Sequence, residues 1–178
     1  NQAVGWIGQR GTLTYLSKLR PALAELCQSH PDLSIRTIGV ELPAMPDVRN
    51  EFRPWSASSE VTDLQSLAVG FAPLPDDPWT RGKCGLRLLQ YLAAGVPAVA
   101  APVGVQGDII ERGGALPART QGDWVDQANR LLRDASLREQ ISRSGRQLVE
   151  KEFVPARWME TILRDWCARS VATGSLIE

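Results

Sequence analysis

The residues best suited to chemistry lie in segment 82–85, which reads Gly-Lys-Cys-Gly and comes directly before a predicted helix over 86–94. Small residues at a helix start let the unpaired amides of its first turn approach a ligand closely. The helix dipole favours an anion at this end, and Arg81, Lys83 and Arg87 add positive charge. The pattern therefore predicts a phosphate or diphosphate site, and it fits a tight connection flanked by solvated basic residues equally well.

A parallel sheet is expected to position this segment. Short apolar runs alternate with longer amphipathic runs along the chain, which is typical of strands joined by crossover helices. Ligands of open parallel sheets bind outside the carboxyl ends of the strands, so the turns after Leu74 and Ala101 should converge on one crevice. Six strands are predicted, over 3–7, 33–40, 51–55, 68–74, 98–101 and 115–118.

Helices are predicted from apolar spacing and from capping residues. Leucines recur at helical spacing over 13–26 and indicate one helix packed on the sheet. Thr120, with Asp123 three residues later, forms a capping-box pattern that begins another helix. A third helix is expected to continue over 137–148, and a fourth begins with Pro155 in its first turn. The predicted fold class is α/β, a Rossmann-like doubly wound parallel sheet with helices on both faces.

Length and composition limit the alternatives. The chain has 178 residues, so we expect one domain over 1–169 and a loose C-terminal tail over 170–178. Twenty basic residues balance twenty acidic ones, which does not favour a nucleic-acid partner. No apolar run is long enough to predict a membrane span. Three cysteines and one histidine support neither a disulfide framework nor a zinc site, and we expect a reducing, cytoplasmic location.

The stretch GKCGLRLLQYLAAGVPAVAAPVGV resembles the donor-site block of the group 1 family of retaining glycosyltransferases, which have the GT-B fold. The Gly-Leu-x-Leu-Leu helix start, the Ala-Ala-Gly-x-Pro turn and the Pro-Val-Gly loop occur in the family's order. The resemblance implies a domain that binds a UDP- or GDP-sugar, with an acceptor-binding N-terminal domain outside this sequence. It also implies sugar transfer with retention, and we expect neither a metal nor another cofactor. The domain alone should bind the donor but catalyse almost no sugar transfer.

The resemblance also assigns roles to individual residues. The turn formed by Gly85, Leu86, Arg87 and Leu88 matches the family's diphosphate cradle, and Lys83 is the charge partner just before it. Gln90 stands where the family has the second of two glutamates, which holds the ribose, and an amide can still hydrogen-bond there. Gly82 stands in place of the first glutamate, so the catalytic residues stay unassigned. Arg10 takes the place of the basic residues that the family's first loop directs at the phosphates.

Other side chains near the expected crevice or at helix ends are expected to have structural roles, and functional alternatives stay open for Trp55 and for the pair Asp76 and Asp77. Trp55 follows the third strand, where the resemblance places the nucleotide base, and we expect core packing, with stacking on the base as the alternative. Asp76 and Asp77 are expected to form a solvated turn, with contact to a sugar hydroxyl as the alternative. Asp108 is expected to cap a helix, and His30 to lie at the exposed end of the first helix.

Two other functions remain compatible with the sequence. One is a non-catalytic Rossmann-like module for ligand binding or interaction, since both family glutamates are missing. The other is a dinucleotide-binding oxidoreductase domain, although Gly5, Gly8 and Gly11 lack the Gly-x-Gly-x-x-Gly spacing of that class. Titration with UDP, GDP and a nicotinamide dinucleotide distinguishes these functions.

Overall fold

Six parallel strands form the centre of the computed structural model, which describes residues 2–173, with side chains as far as Cys167. The strands are β1 Ala3–Ile7, β2 Ser34–Ile38, β3 Asn50–Arg53, β4 Val69–Ala72, β5 Ala98–Ala100 and β6 Leu116–Pro117. All six predicted strands are confirmed. Their order in the sheet is β3-β2-β1-β4-β5-β6, and every neighbouring pair is parallel. This is the order of a doubly wound dinucleotide-binding sheet.

Helices connect the strands and cover both sides of the sheet. They are α1 Arg10–Ser17, α2 Arg20–Ser29, α3 Glu60–Gln65, α4 Pro78–Arg81, α5 Leu86–Ala93, α6 Val105–Glu111, α7 Gln121–Arg133, α8 Ala135–Glu152 and α9 Pro155–Thr173. The expected single helix over 13–26 is wrong, because the chain breaks at Lys18 and Leu19. Pro21 is the cause, because it has no N–H to donate to the carbonyl of Ser17, four residues earlier. In a continuous helix its ring would also clash with that carbonyl.

The core lies in two layers, one on each face of the sheet. Alternate residues of β1 point to opposite faces, so Val4 and Trp6 belong to a buried cluster with α2 and α7. Ala3 and Ile7 belong to the second cluster, with α5. The predicted Rossmann-like α/β class, with helices on both faces, is confirmed.

The C-terminal third is helical, as predicted. The side chain of Thr120 accepts from the backbone N–H of Asp123, and the Asp123 carboxylate accepts from the N–H of Thr120, so the capping box is confirmed. Pro155 begins α9, which runs four residues into the segment predicted as a loose tail. The rest of that segment, 174–178, lies outside the described residues. Five apolar side chains of α9 are exposed: Trp158, Met159, Ile162, Leu163 and Trp166.

Candidate functional site

The sheet opens where its strand order changes direction, between β1 and β4. These strands pair only through Val4 with Val69 and Gly5 with Gly70. Beyond that point the hydroxyl of Tyr91, on α5, accepts from the N–H of Ile7 at 3.0 Å and lies 3.2 Å from the carbonyl oxygen of Phe71. The ring fits because residue 70 is glycine: a Cβ there would lie 2.6 Å from it. Tyr91 thus satisfies the backbone groups that the diverging strands leave free.

A cavity of about 1080 Å³ lies at this opening, on the carboxyl edge of the sheet. One end is lined by Phe52, Pro54 and Trp55, from the end of β3 and the loop after it. The other end is lined by segment 82–87, which leads into α5. The cavity therefore has one apolar, aromatic end and one end formed by a helix amino terminus and basic residues.

The two turns expected to converge do approach each other. A Cβ on Gly104 would lie 2.5 Å from the carbonyl oxygen of Arg81, so these backbones are in close contact. With its amide oriented so that Nε2 donates, the buried Gln106 reaches the carbonyl oxygens of Ala101 and Ala72, at 2.9 and 3.1 Å. Gln106 lines the cavity and ties the ends of β4 and β5 together. Nothing in the sequence pattern marked it.

The amino end of α5 is open toward the cavity. Gly85 is its N-cap, with φ of 71° and ψ of 19°, a left-handed conformation that favours glycine. The first helical hydrogen bond runs from the amide of Leu89 to the carbonyl of Gly85. The amides of Leu86, Arg87 and Leu88 have no hydrogen-bond acceptor among the described residues. This is the amide pattern that binds anions at helix starts.

Two cations lie beside these amides. The Arg87 guanidinium stacks over the Trp6 ring, 4.7 Å from its centroid, and donates to the carbonyl of Ile7 and the hydroxyl of Thr12. Burial lowers the pKa of Arg87, although a guanidinium stays charged in proteins. Lys83 lines the cavity, with Nζ 5.3 Å from the ring centroid of Tyr15. Neither cation forms an ion pair with a carboxylate among residues 2–167.

Some predicted site residues do not line the cavity. Arg10 is exposed at the first position of α1. Arg81 is exposed and forms a 2.6 Å ion pair with Asp76, and this hydrogen bond holds the pKa of that carboxyl below its ordinary value. The Leu88 side chain is fully buried in the core, so only its backbone belongs to the helix start. Leu86, in contrast, is exposed and lines the cavity.

Trp55 is not a core residue, so the expectation of core packing is wrong. Its side chain is 54% exposed and lines the cavity, because β3 is an edge strand and the described residues cover the segment after it only in part. Its indole Nε1 donates to Oε2 of Glu60, the first residue of α3. Oε1 of the same carboxylate accepts from Nε2 of Gln90 at 2.9 Å. No sequence motif marks Glu60, because its hydrogen-bond partners lie five and thirty positions away along the chain.

The remaining expectations concern turns and helix ends. Asp77 is half-buried and caps α4 by accepting from the amide of Thr80 at 2.8 Å, so it begins a short helix and not a solvated turn. Asp108 is not a cap: it lies in the first turn of α6, whose N-cap is Gly104. His30 ends α2, and its Nε2 lies 2.7 Å from Oδ1 of Asn129.

Three further properties bear on function. Cys27, Cys84 and Cys167 are free thiols. Within the described part of the chain, no three or more His, Cys, Asp or Glu side chains cluster as metal ligands would. None of the described helices combines the length and the apolar character that crossing a membrane requires.

Comparison with known sequences finds one family and no curated relative. A family model described as glycosyl transferase-like matches residues 20–164, which is most of the chain. No curated protein matches the sequence.

Solved structures share the fold. One is the C-terminal domain of a glycosyl transferase group 1 family protein from Francisella tularensis, with 19% identity and a TM-score of 0.66 over 86% of this chain and 87% of that one. HepE from Anabaena, solved in complex with UDP and glucose, shows 16% identity and a TM-score of 0.74 over 94% of this chain. Sucrose-phosphate synthase from Thermosynechococcus elongatus shows 19% identity and a TM-score of 0.73 over 94%. The chain spans only 48% and 46% of these two proteins.

Proposed function

The chain belongs to the glycosyl transferase-like family, and on that premise we propose that its cavity binds the nucleoside diphosphate of an activated sugar, UDP- or GDP-linked. The family match agrees with the resemblance noted in the 82–105 segment. Among structural neighbours, HepE was solved with UDP and glucose, which supports this ligand class.

The observation that carries the proposal is the positive charge without a carboxylate partner at the amino end of α5, beside three unpaired amides. Arg87 and Lys83 are both half-buried, and neither has a carboxylate partner in the described chain. Hydrogen bonds to the Ile7 carbonyl and the Thr12 hydroxyl lower the cost of burying the Arg87 guanidinium, but they supply no opposite charge. A diphosphate would supply that charge, and its oxygens would accept from the three unpaired amides.

The lining of the cavity supports placing the rest of a nucleotide there. With the diphosphate at the α5 end, the base would lie near Trp55 and Phe52, where a planar ring can stack. The sugar would extend from the diphosphate out of the cavity, toward a second domain of the same enzyme. We propose such a domain as the source of acceptor-binding groups, since the chain covers less than half of several structural neighbours.

The proposed reaction is transfer of the sugar with retention of configuration, as the group 1 resemblance implies. The bond between the sugar C1 and the diphosphate oxygen breaks, and a bond from C1 to an acceptor oxygen forms. The diphosphate keeps the electron pair and takes up the acceptor proton. Lys83, Arg87 and the α5 amides would stabilise the charge that develops on the leaving group, without a metal. NMR assignment of the product anomer checks the retention.

Calorimetry tests the donor site. We expect UDP or GDP to bind the chain, and a nicotinamide dinucleotide not to bind. Lys83→Ala should weaken diphosphate binding by about 1–3 kcal/mol, the usual loss for a charged hydrogen bond, while leaving the weaker binding of the bare nucleoside unchanged. Lys151→Ala, an exposed lysine on α8, is the matched control. Equal affinity of wild type and Lys83→Ala for the diphosphate would contradict the role of Lys83.

A further inference from the structure

Glu60 is a carboxylate in the cavity wall that the sequence resemblance does not account for. Trp55 and Gln90 donate to its two oxygens from different elements, one from the loop after β3 and one from α5. In the described chain, no lysine or arginine forms an ion pair with it. Its two contacts therefore orient the carboxylate without neutralising it.

The carboxylate retains free hydrogen-bonding capacity. An ionised carboxylate accepts about four hydrogen bonds, two at each oxygen. Trp55 and Gln90 each use one position on a different oxygen, so each oxygen keeps a free position. Two neighbouring hydroxyls on one rigid ring are a matching pair of donors. The 2′ and 3′ hydroxyls of a ribose form such a pair.

We propose that Glu60 binds the ribose hydroxyls of the nucleotide, an inference that rests on the proposed donor site. The location agrees, because Glu60 contacts Trp55 at the aromatic end and Gln90 on the helix whose amino end would hold the diphosphate. Gln90 is then a positioning residue, because its amide holds the carboxylate of Glu60. The ribose-binding carboxylate comes from α3, whereas the resemblance places it on α5. The site accordingly selects ribonucleotides over 2′-deoxyribonucleotides.

Calorimetric titration with UDP and 2′-deoxy-UDP, and with GDP and 2′-deoxy-GDP, tests this selection. We expect the wild type to bind the ribonucleotide about tenfold or more tightly than its deoxy analogue, because a hydrogen bond to a charged group is lost. Glu60→Gln should remove most of this preference, because it weakens the binding of the ribonucleotide and changes the affinity for the deoxy analogue much less.

Two further variants separate ribose binding from a structural role. The double variant Glu60→Gln/Gln90→Glu exchanges the carboxylate and the amide while keeping their mutual hydrogen bond, and it should recover part of the ribose preference. Asp63→Asn removes the same charge from α3, outside the cavity lining, and should leave the preference unchanged.

The outcomes are distinct. If the wild type binds UDP and 2′-deoxy-UDP, or the GDP pair, equally well, the inference fails and the donor site stands. The inference also fails, and the donor site stands, if Glu60→Gln weakens the binding of a ribonucleotide and of its deoxy analogue equally. If the wild type binds neither UDP nor GDP, the donor site fails and the inference fails with it. The wild-type comparison decides the matter even if a variant does not fold.

Discussion

At the scale of single residues, Trp55 shows what an exposed aromatic ring can contribute to binding. A large ring that is half exposed gains only part of the stabilisation that full burial would give, so packing does not account for its exposed half. Its Nε1 is held by Glu60, which fixes the ring without covering it. A ring fixed in this way loses little entropy when a base stacks on it.

We predict that Trp55→Ala weakens UDP or GDP binding by about 1–3 kcal/mol, the usual range for base stacking on an aromatic side chain. Trp55→Phe should lose less affinity, because an aromatic ring face remains although the hydrogen bond to Glu60 is removed. Trp79→Ala is the matched control, since Trp79 is 77% exposed and does not line the cavity. Calorimetry measures all three, and an unchanged affinity in Trp55→Ala would contradict stacking.

The sequence predicted some of these residues and not others for identifiable reasons. Lys83, Gly85 and Arg87 belong to one local pattern, a glycine-rich helix start with basic residues, which is visible without knowing the fold. The role of Trp55 depends on β3 being an edge strand, and sheet order cannot be read from one sequence. Glu60 depends on contacts between α3, α5 and the loop after β3, which only the tertiary structure brings together.

At the scale of elements, the cavity depends on how β1, β4 and α5 meet. Tyr91 reaches from α5 between the two strands and hydrogen-bonds the amide of Ile7, the last residue of β1. Burial raises the pKa of its hydroxyl, which therefore stays protonated and can donate to a strand carbonyl. The strands followed from apolar runs and their breakers to within two residues at each end. The Tyr91 contact depends on the splayed strands, and apart from Gly70 it left no sequence signal.

We predict that Tyr91→Phe lowers the free energy of unfolding by about 1–3 kcal/mol, because the buried amide of Ile7 loses its acceptor. Urea denaturation followed by circular dichroism measures the change. Tyr15→Phe is the matched control, since the Tyr15 hydroxyl makes no hydrogen bond with the described residues. This substitution should change the free energy of unfolding little. Equal stability of Tyr91→Phe and wild type would show that the strand ends do not depend on this hydroxyl.

At the scale of the whole molecule, charge is balanced overall and concentrated locally. The net charge is zero, so attraction of an anionic ligand must come from the local arrangement of Lys83, Arg87 and the α5 amides. The cavity opens at the sheet edge, where the proposed second domain would complete the site. The exposed apolar face of α9 lies outside the cavity lining and takes no part in the proposed nucleotide site.

This distribution leads to a prediction about metals. If the cations and amides of the chain neutralise the diphosphate, UDP or GDP should bind with the same affinity in EDTA as in excess Mg²⁺. Two calorimetric titrations of the wild type measure this, with circular dichroism to show that EDTA leaves the fold intact. Since Lys83→Ala removes one cation, its affinity in EDTA should fall below that of the wild type. Loss of wild-type binding in EDTA, restored by Mg²⁺, would mean that a divalent ion carries the charge assigned to Lys83 and Arg87.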